Sequence, residues 1–333
     1  MADLNRQVIL TSRPAGVAQA ENFAIRHAPV QQSAPGQILV RNHYLSIEPA
    51  MRGWIADTGN YAAPVAIGSV MRSLASGEVV ASAHPDYAVG EHVSGWFGWQ
   101  DYACVAADQV VQRTSAAEMR ASLGILGING MTAYLALTLV GQPRAGDIIA
   151  VSTAAGAVGS AVGQIARILG CRTIGLAGGP DKARRCVEDY GYDHAIDYRT
   201  DDIGAAIARH APDGVDIYFD NVAGAISDAV VPHLAQRGRV VVCGTASIDR
   251  WAPWPTGPRV ERHLLVKRAR MEGFVIFDHV DRYAEATAQL QAWIAQGRLT
   301  WREDILDGIE ACPDALAGLY RGENDGKRLI RLV

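Results

Sequence analysis

The chain lacks several features, and each absence excludes a class of function. Cations are outnumbered, 31 Lys and Arg against 35 Asp and Glu, so no broad basic face is offered to nucleic acid or an anionic membrane. No apolar run approaches the roughly 18 residues of a membrane span. The opening MADLNRQVILTSRP lacks the cationic-then-apolar order of a secretion signal. Cysteine is sparse and odd in number: Cys104, Cys171, Cys186, Cys243 and Cys312 form neither a disulfide framework nor a CxxC clamp. The nine histidines make no HxxxH or HExxH pair, which argues against zinc. The expectation these absences leave is a cytoplasmic protein.

What is present suffices for two domains, since 333 residues can bury two ordinary cores. Residues 1–119 read as short strands (Gln7–Leu10, Phe23–Arg26, Ile38–Arg41, Glu78–Ser82, His92–Ser94, Tyr102–Val105) between Gly, Pro, Asn and Asp signals. That rhythm predicts a compact β-barrel module, with Trp96, Trp99 and Tyr102 in its core. Residues 120–297 alternate strand and helix instead. Strands are expected at Ile148–Val151, Thr173–Leu176, His194–Ile196, Val215–Phe219, Arg239–Cys243 and Met271–Phe277. Helices are expected at 160–170, 181–190, 201–210, 225–236 and 282–297, which together make a doubly wound parallel α/β sheet. The proline-rich WAPWPTGP, from Trp251 to Pro258, cannot be regular structure and reads as either a lid or a dimer arm. Residues 298–333 offer a strand near Ile305, a helix after Pro313 and a last strand Leu329–Val333 that returns to the first domain.

The second domain is organised around Asp147 to Gly170: an apolar strand, a small-residue turn, then apolar residues at helical spacing with Gly170 as a stop. This is the dinucleotide fingerprint, whose turn lets backbone N–H groups and the helix dipole hold a pyrophosphate. The strict GxGxxG pattern is not met, because Ala154 takes the first glycine position, and those six residues alone also fit any tight strand–helix turn. The next strand carries the stronger signal. It runs out into Ala177-Gly178-Gly179-Pro180-Asp181-Lys182, with no carboxylate at its end for a ribose 2′-hydroxyl. An absent acid beside an added cation, Lys182, is what a 2′-phosphate requires, so the pattern favours NADP(H) over NAD(H).

Nine collinear segments resemble the zinc-independent branch of the medium-chain dehydrogenase/reductase superfamily, the leukotriene 12-hydroxydehydrogenase, prostaglandin and curcumin reductases. They are HYLSIEPAMRGW from His43, WFGWQDY from Trp96, GMTAY from Gly130, VSTAAGAVGSAVGQIA from Val151, AGGPDK from Ala177, YFDNVAG from Tyr218, VVCGTAS from Val241, RARMEGFVIFD from Arg268 and RGENDGKRLI from Arg321. The resemblance implies a Rossmann domain inserted into a GroES-like β-barrel domain, and a homodimer. It implies pyrophosphate contacts from Ala155, Gly156, Ala157, Val158 and Gly159, and 2′-phosphate contacts from Lys182 and Tyr198. Asn221, Cys243, Gly244, Thr245, Phe274, Val275 and Ile276 match positions lining ribose and nicotinamide, and Asn324 a cofactor contact from the first domain.

Departures from the family pattern bear on the chemistry. Gly68-Ser69-Val70 stands where zinc-dependent members carry Gly-His-Glu, and Ser46 lies where a metal-binding cysteine is sought. Ala50 and Val266 replace tyrosines of relatives, which leaves Tyr61 as the candidate proton donor, or else a positioning residue. The implied activity is NADPH-dependent reduction of a carbon–carbon double bond conjugated to a carbonyl, in an enone or alkenal. Quinone reduction on the same fold and NADPH sensing without turnover are the alternatives.

Overall fold

The computed structural model describes residues 4–248, 250 and 253–333. Trp251 and Ala252, which open the proline-rich segment, lie outside the described residues; Pro253 to Pro258 form neither helix nor strand. The chain folds into two compact units, one of residues up to Gly124 together with Glu303–Val333, the other Ile125–Arg302.

The first unit opens with β1 (Leu4–Leu10), β2 (Phe23–Pro29), β3 (Gln37–Ser46), the short helix α1 (Met51–Ile55), β4 (Ala75–Ser82), β5 (His92–Gly95), β6 (Tyr102–Ala106) and β7 (Val110–Thr114). The second contains α2 (Ile128–Leu135), β8 (Ile148–Ser152), α3 (Ala157–Ile168), β9 (Arg172–Ala177), α4 (Pro180–Glu188), β10 (His194–Asp197) and α5 (Ile203–His210). It continues with β11 (Val215–Asp220), α6 (Gly224–Val230), β12 (Leu234–Val242), α7 (Glu261–Lys267), β13 (Arg270–Gly273) and α8 (Tyr283–Ala295). The chain then returns to the first unit through β14 (Glu303–Asp307), α9 (Cys312–Arg321) and β15 (Lys327–Arg331).

In the first unit β1 pairs with β2, and a second sheet runs β14-β15-β3-β4-β5-β7 with β6 also on β3. On β1 the alternate residues Val8 and Leu10 point inward, whereas β3 and β15 are buried over consecutive residues, Ile38 to Val40 and Lys327 to Ile330. Trp99 is core as expected, its indole N–H donating to the Ser46 carbonyl at 3.1 Å. Trp96 and Tyr102 are only half buried.

The second unit is a six-stranded sheet in the order β10-β9-β8-β11-β12-β13, and every neighbouring pair is parallel. Strand order reverses beside β8, which places a ligand crevice at the carboxyl ends of β8 and β11. The central strand IIAVS is buried throughout, as a strand covered on both faces must be. Helix α3 packs tightly: a methyl group at Gly163 would collide with the Tyr192 ring, and the Tyr192 hydroxyl donates to the Gly159 carbonyl at 2.6 Å. Gly170 follows the helix at φ 83°, as a stop should.

Among the boundaries that differ from those expected, two have a clear local cause. The helix expected over 225–236 ends at Val230, because Pro232 allows only a 3-10 turn, Val231–His233, before β12 begins. The strand expected over Met271–Phe277 ends at Gly273. There the chain turns, the Asp278 N–H donating to the Val275 carbonyl, and a 3-10 stretch Ile276–Arg282 follows. Phe274, Val275 and Ile276 therefore lie just beyond a strand, with the Phe274 ring stacked on His279 at 4.9 Å.

Candidate cofactor site

The turn after β8 carries its conformational demand on Thr153, which has φ 49°, and not on Ala154. That is why alanine serves at the first glycine position: the left-handed residue is one place earlier. Gly156 caps α3 without any side-chain hydrogen bond, and the Ser160 N–H is the first to find a carbonyl in the turn above it, that of Gly156. By helix geometry the amides of Ala157, Val158 and Gly159 have no intrahelical acceptor and face outward from the helix start. Gly159 is needed for contact, since a side chain would strike the Thr153 carbonyl and come within 2.9 Å of the Ala154 Cα. Amides without a helical acceptor, a dipole end and small side chains together make an anion cradle.

The end of β11 is held by Asp220. Its buried carboxylate accepts from the amides of Val222 and Ala223, at 3.0 and 2.9 Å, and from the hydroxyls of Tyr218 and Ser227. Asn221 ties β11 to β8: its amide donates to Ser152 Oγ and its Nδ2 to the Ser152 carbonyl, both at 2.8 Å. The Cys243 and Gly244 amides donate back to the Asp220 carbonyl, laying Cys243-Gly244-Thr245 against Asn221. Burial pushes the Cys243 thiol up to about 12, so this cysteine lines the crevice as a small neutral side chain. The Phe274 amide donates to the Val242 carbonyl, which sets that residue at the end of β13. Lys182 lies in the first turn of α4, and Tyr198 follows β10 with its hydroxyl over the Gly178 backbone. Burial holds the Tyr198 phenol above its ordinary value, with the nearby Arg199 cation opposing. The expected cofactor residues of this unit thus converge on one edge of its sheet.

Tyr61 and Asn324 belong to the first unit. Tyr61 is 54% exposed, its amide donating to Asn60 Oδ1, and Asn324 Nδ2 donates to the Gly326 carbonyl at 2.9 Å. Two features of this unit escaped the sequence reading. Tyr320 donates its hydroxyl to the Pro49 carbonyl at 2.6 Å, with the Arg52 guanidinium 5.1 Å from its ring centroid, so a phenol from α9 supports the segment containing Ala50. Burial pushes that phenol up to about 12. Ser46, sought as a metal position, instead meets an ammonium: Lys327 Nζ donates to Ser46 Oγ at 2.6 Å and to Glu48 Oε1 at 2.9 Å, all three residues buried. A metal cation is not compatible with a fixed positive charge at that distance. Neither feature has a local signal, because each joins residues more than 270 positions apart.

The family described as "N-terminal domain of oxidoreductase" matches residues 6–112, and that described as "Zinc-binding dehydrogenase" matches residues 157–292. The chain is 40% identical to the NADPH-dependent curcumin reductase of Escherichia coli (strain K12), covering 99% of this chain and 97% of that protein. It is 35% identical to the NADP(+)-dependent 2-alkenal reductase of Nicotiana tabacum, covering 98% and 97%. Among solved structures, CurA of Vibrio vulnificus in complex with NADPH superposes with a TM-score of 0.94 at 40% identity, covering 98% of this chain and 99% of that one.

Proposed function

The chain belongs to the zinc-independent double-bond reductases of the medium-chain dehydrogenase/reductase superfamily, and on that premise we propose that it reduces the C=C bond of α,β-unsaturated ketones and aldehydes with NADPH. One observation carries the cofactor half of this reading: the small-residue turn into α3 and the Lys182–Tyr198 pair lie on the same strand-end edge. The fit is good, because Gly159 keeps the α3 turn tight and Gly178 leaves room under the Tyr198 hydroxyl. When bound, NADPH supplies the hydride taken up by the acceptor's β-carbon. The α3 amides hold the pyrophosphate, and Lys182 and Tyr198 hold the 2′-phosphate. Asn221, Cys243–Thr245 and Phe274–Ile276 line the ribose and nicotinamide, where neutral side chains, with Phe274 and Ile276 buried among them, limit the access of water. Tyr61, a neutral phenol at pH 7, delivers the α-proton, with water as the other source. Tyr320 keeps its proton on the Pro49 carbonyl and positions the Ala50 segment.

Quinone reduction is the second reading, favoured by Ala50 and Val266, since that reaction needs little beyond NADPH and an apolar slot. The test is NADPH absorbance with an enone, a quinone and no acceptor. Oxidation with the enone is expected. Oxidation with the quinone alone overturns the proposal, and binding without turnover makes the protein a sensor.

The partner of the whole chain is a second copy. Strand β13 is one of the two edge strands of the parallel sheet and its residues are all exposed; Met271 on it is 39% exposed, and Leu265 and Val266 of the preceding α7 are 76% and 48% exposed. An open edge with apolar neighbours invites pairing. Five free cysteines suit a reducing compartment, and we place the protein in the cytoplasm.

A further inference from the structure

Strand β10 ends on Asp197, which pairs in register with Ala177 of β9. A carboxylate therefore does stand near the ribose end of the sheet, but it is turned inward. Its Oδ1 accepts from the Gly179 amide at 2.8 Å and the Arg199 amide at 3.0 Å, and the side chain is buried. One oxygen thus draws two segments together. Gly179, at φ 99°, is the N-cap of α4, and a side chain placed on it would come within 3.7 Å of Arg199 Nη1. The guanidinium accordingly lies over the start of α4, next to the Gly178 backbone that the Tyr198 hydroxyl covers.

The charge balance around this point is uneven. Arg184 pairs with Asp181 at 2.9 Å and with Glu188 at 3.6 Å, and Arg185 pairs with Asp189 at 3.9 Å. The exposed guanidinium of Arg199 and the hydroxyl of Tyr198 have no hydrogen-bond or ion-pair partner among the described residues. A cation and a hydroxyl donor without partners, set over a helix start, form a receptor for an anion. We infer that Arg199 is a specificity-determining residue that binds the 2′-phosphate of NADPH together with Lys182 and Tyr198, and that Asp197 positions it through the backbone. The inference rests on the NADPH reading above and adds a second cation to it. It also changes the meaning of the missing acid: the carboxylate is present and is used to position a cation.

The competing role for an exposed guanidinium is stacking on the adenine ring, which would serve NADPH and NADH alike. Binding titrations separate the two. Nicotinamide fluorescence measures NADPH and NADH affinity, and competition measures 2′,5′-ADP against ADP, for the wild type, Arg199→Gln and Arg199→Lys. In Arg199→Gln, NADPH and 2′,5′-ADP should weaken by roughly five- to thirtyfold, the loss of one charge-assisted contact. NADH and ADP should stay within about twofold, and Arg199→Lys should retain most of the preference. Equal losses for both cofactors, or no loss for either, overturn the inference while leaving the NADPH reading intact. A wild type with no preference for 2′,5′-ADP over ADP defeats that reading, and the role of Arg199 with it.

Discussion

Lys182 stands in the first turn of α4 beside Asp181, whose carboxylate is taken by Arg184 at 2.9 Å. In the proposed NADPH reading this ammonium meets the 2′-phosphate. Lys182→Ala should weaken NADPH by roughly ten- to a hundredfold, as for a charge-assisted contact of about 1.5–3 kcal/mol, and leave NADH nearly unchanged. Isothermal titration with both cofactors checks it, and equal weakening would remove Lys182 from the site. Tyr61 is the second residue to test. As the general acid, its change to Phe should lower kcat by roughly 10²–10⁴-fold at unchanged NADPH affinity. If the phenol only packs over the substrate, Phe keeps its shape, and steady-state kinetics should move KM instead. These residues were legible for different reasons. Lys182 announces itself by a missing acid in the same short segment. Arg199 does not, because its place over Gly179 depends on β9 and β10 lying parallel in one register.

Among the elements, α3 was the most legible, since its apolar spacing, small-residue entry and Gly170 stop all lie within one stretch. The partner that seats it was not, because Tyr192 comes from the turn before β10 and nothing local marks it as the ring that fills the space over Gly163. Gly163→Ala should therefore cost about 1–3 kcal/mol through overpacking. Urea unfolding of the variant should show the loss, and a variant as stable as wild type would mean that Tyr192 can swing away. A pattern misleads where a single residue overrides it. The apolar spacing of 225–236 runs through Pro232, which stops the helix, and the half-buried VVQRT of β7 alternated too weakly to be read as a strand.

For the whole molecule, the order of folds was legible because residues 1–119 and 120–297 differ in rhythm, one punctuated by turns and the other alternating strand with helix. The contacts that bind β15 into the first unit were not, since they cross the full length of the sequence. Lys327→Met leaves the Glu48 carboxylate buried without its ammonium, which should destabilise the first unit by about 3–5 kcal/mol. Thermal unfolding measures it, and adding Glu48→Gln should recover part of the loss. In the second unit, Met271→Glu places a charge on the edge strand β13, where the proposed second copy would pair. Light scattering should find the proposed dimer for the wild type and monomers for this variant at the same concentration, and a variant that keeps a dimer's mass would place the contact elsewhere.

The position of β15 between β14 and β3 sets an order of events during synthesis. Strand β3 leaves the ribosome early and β6 soon pairs with its Gln37–Arg41, yet its Tyr44–Ser46 stretch waits for a strand made after the entire second unit. The parallel sheet is complete within Ile125–Arg302 and can close before β15 is made, while that short stretch of β3 stays open to foreign strands. For this chain, then, the part made first is finished last, and the interval between is when it most needs a chaperone's cover.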